Sequence, residues 1–178
     1  MDIKFQINNS IQTEAIIKSD EYIPLKIEIE SSIPSSSAIL YIFFRDQKNL
    51  MEIKIGITFG ELYSVTVIFS NQFVFHECYF DESKYLTWKM PSYLIFPYPS
   101  QPDASISSLD IEGRCTIKVF LDVIILALPT IGEEAFIFYQ SNYFGIITDN
   151  KLNILGFIIK NISTEKRKMI LEFTNNNK

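Results

Sequence analysis

A chain of 178 residues, with 47% hydrophobic and 21% charged side chains, has the length and composition of one globular domain that folds without disulfides or metal. Its net charge of −5 is uneven, because residues 1–150 carry 19 acidic and 10 basic side chains, whereas residues 151–178 carry 2 acidic and 6 basic ones. An acidic body repels nucleic acid phosphates, which argues against direct binding of nucleic acid.

The dominant spacing of apolar residues is two, which predicts β-strands along most of the chain. Residues 25–30 alternate between apolar and charged side chains, and turn-type sequences such as the one at 46–49 separate the segments. Because most connections are short, we expect neighbouring strands to be mainly antiparallel. The predicted strands lie near residues 2–8, 11–18, 22–31, 38–45, 50–59, 62–69, 72–80, 114–127, 135–140, 143–148, 152–160 and 167–174.

Two parts of the chain are less regular. Residues 81–108 contain four prolines and many large apolar side chains, and we expect a long loop there, with a short helix near 81–90 or 12–20 as an option. Residues 109–128 fit either a strand or a buried helix, and charged residues at alternate positions favour the strand. The basic residues of the final segment, at 160 and 166–168, are interpreted as solvent-exposed residues that lead into the last strand.

These elements predict one mainly β domain over residues 1–178. We expect an antiparallel β-sandwich, or two curved sheets packed together, with one or two short helices. The long loop at 81–108 would be an aromatic and proline-rich insertion in that domain.

Few residues of this chain could carry out chemistry. His76 is the only histidine, and on a strand it would share a face with Cys78, so that these two and Cys115 offer at most three of the four ligands of a structural zinc site. A Cys–His nucleophile pair is formally possible, but neither cysteine lies among basic residues or at an evident helix N-terminus, where a thiol pKa would be lowered. Acidic pairs fit solvated strand faces better than a glycosidase site. We therefore expect no enzymatic activity, no metal and no cofactor.

The location of the protein is predicted from its N-terminus and its cysteines. The chain begins without a basic region followed by an apolar core, and its longest apolar run, 123–128, is too short to cross a bilayer. Two cysteines do not form a disulfide framework, which suits a reducing compartment. We expect a cytoplasmic protein that does not contact a membrane.

The segment 85–99 has the composition of an interaction site. It holds the only tryptophan and three tyrosines between prolines, and such aromatic residues dominate interface hot spots while prolines reduce the ordering cost of binding. Alternatively, these aromatic side chains plug the end of a sheet core or stack on a sugar. The candidate partner-binding residues are aromatic residues of this segment, acidic residues on either side of it and one acidic pair further along the chain. They are Asp81, Glu82, Tyr85, Trp88, Tyr93, Tyr98, Asp103, Glu133 and Glu134.

In general character, an acidic, β-rich, cytoplasmic chain without catalytic motifs resembles the bacterial immunity proteins of contact-dependent growth inhibition systems. The resemblance covers the whole chain in character and no residue in particular. It implies that the chain binds a cognate basic toxin, a nuclease in particular, and occludes the toxin's active site through acidic and aromatic contacts.

Two other functions remain open from the sequence. The first is a non-catalytic structural or assembly module of a phage or secretion system, which would associate through strand edges. The second is a carbohydrate-binding module that uses Trp88 and Tyr93 as a stacking platform.

Overall fold

The structure, a computed structural model, describes residues 6–8, 13–18, 23, 25–31, 39–47, 49–56, 62–70, 73–89, 93–95, 108–129, 135–139 and 141–176. The strands are β1 (Gln6–Asn8), β2 (Thr13–Lys18), β3 (Leu25–Ser31), β4 (Ile39–Asp46), β5 (Asn49–Gly56), β6 (Leu62–Ser70), β7 (Phe73–Phe75), β8 (Leu86–Lys89), β9 (Tyr93–Ile95), β10 (Ser108–Glu112), β11 (Thr116–Val119), β12 (Val123–Ala127), β13 (Phe136–Tyr139), β14 (Phe144–Thr148) and β15 (Ile154–Lys160). A 3₁₀ turn spans Glu82–Lys84, and helix α1 spans Thr164–Asn176.

Two large sheets and one small one contain these strands. The first sheet has the order β10-β4-β5-β6-β3-β2, the second has the order β7-β11-β12-β15-β14-β13-β8, and β1 pairs with β9. Strands joined by short turns pair antiparallel, as predicted. The edge strands β10, β7 and β8 instead pair in parallel with β4, β11 and β13, so both large sheets are mixed.

The two large sheets pack face to face on a common core. Alternate residues of β4 and β5 are buried, as expected for strands with one face on the core and one towards solvent. The prediction of a mainly β fold made of two packed sheets is therefore confirmed. The largest fully buried side chains of this main core come from both sheets: Phe44, Met51, Ile53, Leu126, Phe144 and Phe157.

The seven-stranded sheet is also covered on its outer face. Strands β12, β14 and β15 are nearly continuous apolar runs with both faces buried. This burial explains the apolar run at 123–128, which is a strand as favoured from the sequence. A second cluster, here called the outer core, lies on this face: Val123, Ile125, Ile137, Tyr139, Ile147 and Ile158.

Several predicted elements differ from the structure, among them the strand predicted at 72–80, which ends at Phe75 of β7. The strand predicted at 167–174 is wrong, because these residues belong to α1, whose start is capped by the Ser163 hydroxyl accepting a hydrogen bond from the Lys166 amide. The basic residues 166–168 therefore lie in the first turns of a helix and not at a strand entry. The single strand predicted at 114–127 is divided by a turn into β11 and β12.

Candidate functional site

The connection between β7 and β8 crosses the outer face of the seven-stranded sheet from one edge to the other. We call this connection, residues 76–85, the strap. Its first half is attached to the turn between β11 and β12, because the Leu121 amide donates a hydrogen bond to the Cys78 carbonyl at 3.1 Å. The Phe80 amide donates to a carboxylate oxygen of Asp122, also at 3.1 Å. The strap backbone is thus fixed on the sheet on both sides of Tyr79.

Aromatic side chains of the strap cover the outer core. Phe80 and Tyr85 pack against this cluster, and their ring centroids lie 5.3 Å apart. Phe80 also meets Phe120 edge to face at 5.3 Å, a preferred geometry for aromatic pairs. These contacts show why the chain crosses here, since the outer face of β12, β14 and β15 would otherwise expose apolar surface.

An ion pair holds the second half of the strap to the sheet. The Lys160 ammonium lies 2.8 Å from the Glu82 carboxylate and 4.4 Å from the centroid of the Tyr139 ring. Burial, and then the neighbouring Glu82 carboxylate, raise the pKa of the Tyr139 hydroxyl. Glu82 therefore contacts residues of its own chain, and its role as a partner contact stays a prediction.

A glycine makes room for the ring under this ion pair. Gly145 lies opposite Tyr139 in the pairing of β13 with β14. A Cβ atom at Gly145 would come within 2.9 Å of the Tyr139 ring and 3.0 Å of the Ile158 side chain. The missing side chain lets the tyrosine ring lie against the sheet, where Lys160 reaches it.

Of the nine predicted partner-binding residues, the structure brings three together on the strap: Asp81, Glu82 and Tyr85. The exposed Asp81 carboxylate accepts hydrogen bonds from the Ser83 amide and hydroxyl and lies 3.4 Å from the Lys84 ammonium. The Ser83 hydrogen bond, with help from Lys84, lowers the pKa of Asp81. Tyr85, at the end of the strap, is half-buried and packs on the outer core, which fits the alternative that it covers a sheet core.

Of the other six predicted residues, the structure describes the backbone of two. Trp88 lies in β8 opposite Phe138, and Tyr93 lies in β9 opposite Asn8, so the two belong to different sheets. Nothing is described of their side chains. The remaining four lie outside the described residues: Tyr98, Asp103, Glu133 and Glu134. The segment 81–108, predicted as a loop, contains a 3₁₀ turn and the strands β8 and β9.

The sequence prediction missed two residues of the strap, Glu77 and Tyr79. The side chain of Tyr79 is 72% exposed although its backbone is fixed, and it is the most exposed large hydrophobic side chain in the described part of the chain. The Glu77 side chain is 80% exposed and pairs with Arg167 of α1 at 2.8 Å. The signal was present, because the aromatic pair Tyr79 and Phe80 is flanked by carboxylates, one at 77 and two at 81–82.

The only histidine is part of the packing. The His76 ring stacks on Phe120 with centroids 4.4 Å apart and an interplanar angle of 9°. Its Nε2 atom is buried and has no hydrogen-bond partner among the described residues. Cys78 is exposed on the strap and Cys115 is buried in the main core. The residues that the structure describes include no group of three or more His, Cys, Asp or Glu side chains that could hold a metal ion.

The two cysteines should differ sharply in reactivity. Burial, with a smaller contribution from the Asp46 carboxylate, raises the pKa of the Cys115 thiol to about 12, so its reactive thiolate is absent at pH 8. We expect iodoacetamide at pH 8 to modify Cys78 alone in the folded protein and both cysteines in urea, as measured by peptide mass spectrometry. A Cys78→Ser variant serves as control and should stay unmodified when folded. Equal labelling of both cysteines without urea would contradict the burial of Cys115.

No protein-family model and no curated protein matches the chain. Within the described ranges, no helix has the length and apolar character needed to cross a membrane.

Proposed function

We propose that the protein is a cytoplasmic immunity protein that binds a basic toxin domain and blocks it without chemistry of its own. One observation carries the proposal: the strap holds an exposed tyrosine, Tyr79, between two exposed carboxylates, Glu77 and Asp81, on a backbone fixed to a sheet. A fixed backbone with an exposed aromatic side chain is suited to binding, because little conformational freedom is lost when a partner arrives.

The charges of the strap are compatible with a basic partner. Glu77 and Asp81 each have a cation of the same chain nearby, Arg167 and Lys84 respectively. The Asp81–Lys84 pair is exposed and adds little to stability, so a lysine or arginine of a partner can replace Lys84 at low cost. The Glu77 carboxylate is 80% exposed beside the largely buried Arg167 side chain, so a cation of the partner can join that pair. The net charge of −5 adds long-range attraction for a positively charged protein.

Two of the three groups considered for catalysis, His76 and Cys115, are committed to packing, which favours a binding role. The His76 ring stacks on Phe120, and the Cys115 thiol lies in the main core with a raised pKa. Occlusion of a partner's active site needs only a rigid surface of the right shape and charge, which a two-sheet body can provide.

The test uses the protein domain encoded immediately upstream of the gene. Co-expression of the chain should rescue cells from that domain. The double variant Glu77→Gln/Asp81→Asn should lower the association rate at low salt by about fivefold, as is typical when charges at an interface rim are removed. Stopped-flow or surface plasmon resonance measures that rate.

The matched control is Glu165→Gln/Glu172→Gln, which removes two exposed carboxylates from α1 and should leave the rate unchanged. Failure of the wild-type chain to rescue cells, or a genetic neighbourhood of capsid or tail genes, would overturn the proposal.

One observation favours an assembly module as a second candidate. Strand β8 is the edge of the seven-stranded sheet and pairs, among the described strands, with β13 alone. Its Leu86 side chain is 61% exposed, and such an edge can accept a strand from another chain. This function requires self-association that grows with concentration, whereas an immunity protein forms a complex with its toxin.

A further inference from the structure

We infer that Tyr79 is the anchor of the complex and that it occupies a cleft in which the partner binds single-stranded nucleic acid. This inference rests on the proposed function and names the partner's chemistry more closely. The strap would occupy the cleft in place of a nucleotide, with the phenol ring where a base stacks and the carboxylates where phosphates bind.

The first support is the way the strap presents Tyr79. The neighbouring residues on both sides are hydrogen-bonded to the β11–β12 turn, Cys78 through its carbonyl and Phe80 through its amide. The Phe80 ring points to the outer core, and the Tyr79 ring is left in solvent. With the backbone already ordered, binding costs the chain only the rotamer freedom of the Tyr79 side chain, which favours a strong anchor.

The second support is the chemistry around the ring. Glu77 and Asp81 lie two positions before and two positions after Tyr79, and both are exposed. Proteins that bind single-stranded nucleic acid combine a positively charged groove with aromatic side chains on which bases stack. The Tyr79 ring could stack on the aromatic side chains of such a groove, while the two carboxylates beside it meet the groove's positive charges.

The third support is the charge of the chain as a whole. A protein of net charge −5 has little affinity of its own for nucleic acid, so it can compete with nucleic acid for a basic cleft without binding it. The partner class that fits is therefore a nuclease or another protein that works on single strands.

The experiment measures the affinity of the upstream-encoded domain for four forms of the chain: wild type, Tyr79→Ala, Tyr79→Phe and Tyr143→Ala. We expect Tyr79→Ala to raise Kd by about 30-fold, the effect of losing a hot-spot tyrosine, mainly through faster dissociation. Tyr79→Phe keeps the ring and should retain most of the affinity. Tyr143 is the comparison, because it is a 46% exposed tyrosine on the turn between β13 and β14 and is not part of the strap, and its loss should change Kd by less than about twofold.

A second measurement tests the nature of the cleft. A fluorescent oligothymidine bound to the domain should be released when the wild-type chain is added, and not when the same concentration of Tyr79→Ala is added. Circular dichroism of each variant checks that the fold is intact, which is expected because Tyr79 makes no contribution to either core.

The outcomes separate the two proposals. Absence of any complex with the wild-type chain overturns the proposed function. A complex that forms equally well with Tyr79→Ala overturns the anchor and leaves the function standing. Simultaneous binding of oligothymidine and the wild-type chain to the domain overturns the assignment of the cleft.

Discussion

Replacing Phe157 by alanine should lower the free energy of unfolding by about 3–5 kcal/mol, the usual cost of deleting a buried aromatic ring. Phe157 is 0% exposed and lies in β15, which pairs with β12 on one side and β14 on the other. Its ring stacks on Phe144 at 6.0 Å within the main core. The cavity left by alanine cannot close, because the sheets on both sides of the core are held by their own hydrogen bonds.

Urea unfolding followed by circular dichroism measures this loss. Leu86→Ala is the control, since a 61% exposed side chain should contribute less than about 0.5 kcal/mol. If Phe157→Ala does not fold, Phe157→Leu provides a milder change of the same kind. A loss below about 1 kcal/mol for Phe157→Ala would contradict the packing of the two sheets on one core.

Replacing Gly156 by alanine should destabilise the protein by about 3 kcal/mol, near the upper end of the cost of overpacking. A Cβ atom there would lie 2.3 Å from the Leu126 carbonyl oxygen and 3.2 Å from the Ala127 Cα atom. Both atoms belong to the backbone of β12, which pairs with β15, so neither can move without disturbing the sheet.

Gly113→Ala is the comparison for this prediction. There the added Cβ atom would meet the side chain of Pro129, which is exposed and lies beyond the end of β12. The atoms in contact belong to an exposed side chain and not to the backbone of a paired strand, so the loss measured by thermal or urea unfolding should be smaller. Equal losses for the two variants would mean that β12 and β15 are not packed as closely as the structure shows.

The sequence predicted most of the fold because period-two patterns determine which face of a strand is buried. The strand predicted at 152–160 is present as β15, and short turns correctly predicted antiparallel neighbours. The same patterns contain no information about which strand pairs with which over long separations. The parallel edge pairs of β7 and β8 depend on a connection that crosses a whole sheet, and nothing local in the sequence indicates that crossing.

Helix α1 was mistaken for a strand because its apolar residues 169–171 are consecutive and fit either structure. The burial in the structure follows the helical spacing, since Ile170 is buried and the half-buried residues lie three and four positions from it, at 166, 167, 173 and 174. The start signal could have been recognised, because Ser163 precedes an acidic first turn and is a favoured N-cap residue.

The candidate site could be located only in part. The sequence indicated a region of aromatic and acidic residues, and Asp81 lies on the exposed strap as expected of a contact residue. Glu82 and Tyr85 are turned to the sheet, because Glu82 meets Lys160, which follows it at a distance of 78 residues along the chain. Tyr79 was assigned to a strand at 72–80, and only the end of β7 at Phe75 shows that the following residues form the strap.

Hydrogen exchange of the free protein and of its complex with the upstream-encoded domain tests most directly whether the strap is the binding surface. The proposal predicts that amides of residues 77–85 exchange more slowly in the complex, while those on the outer face of the six-stranded sheet are unchanged. Protection of the six-stranded sheet with an unaltered strap would contradict the proposal.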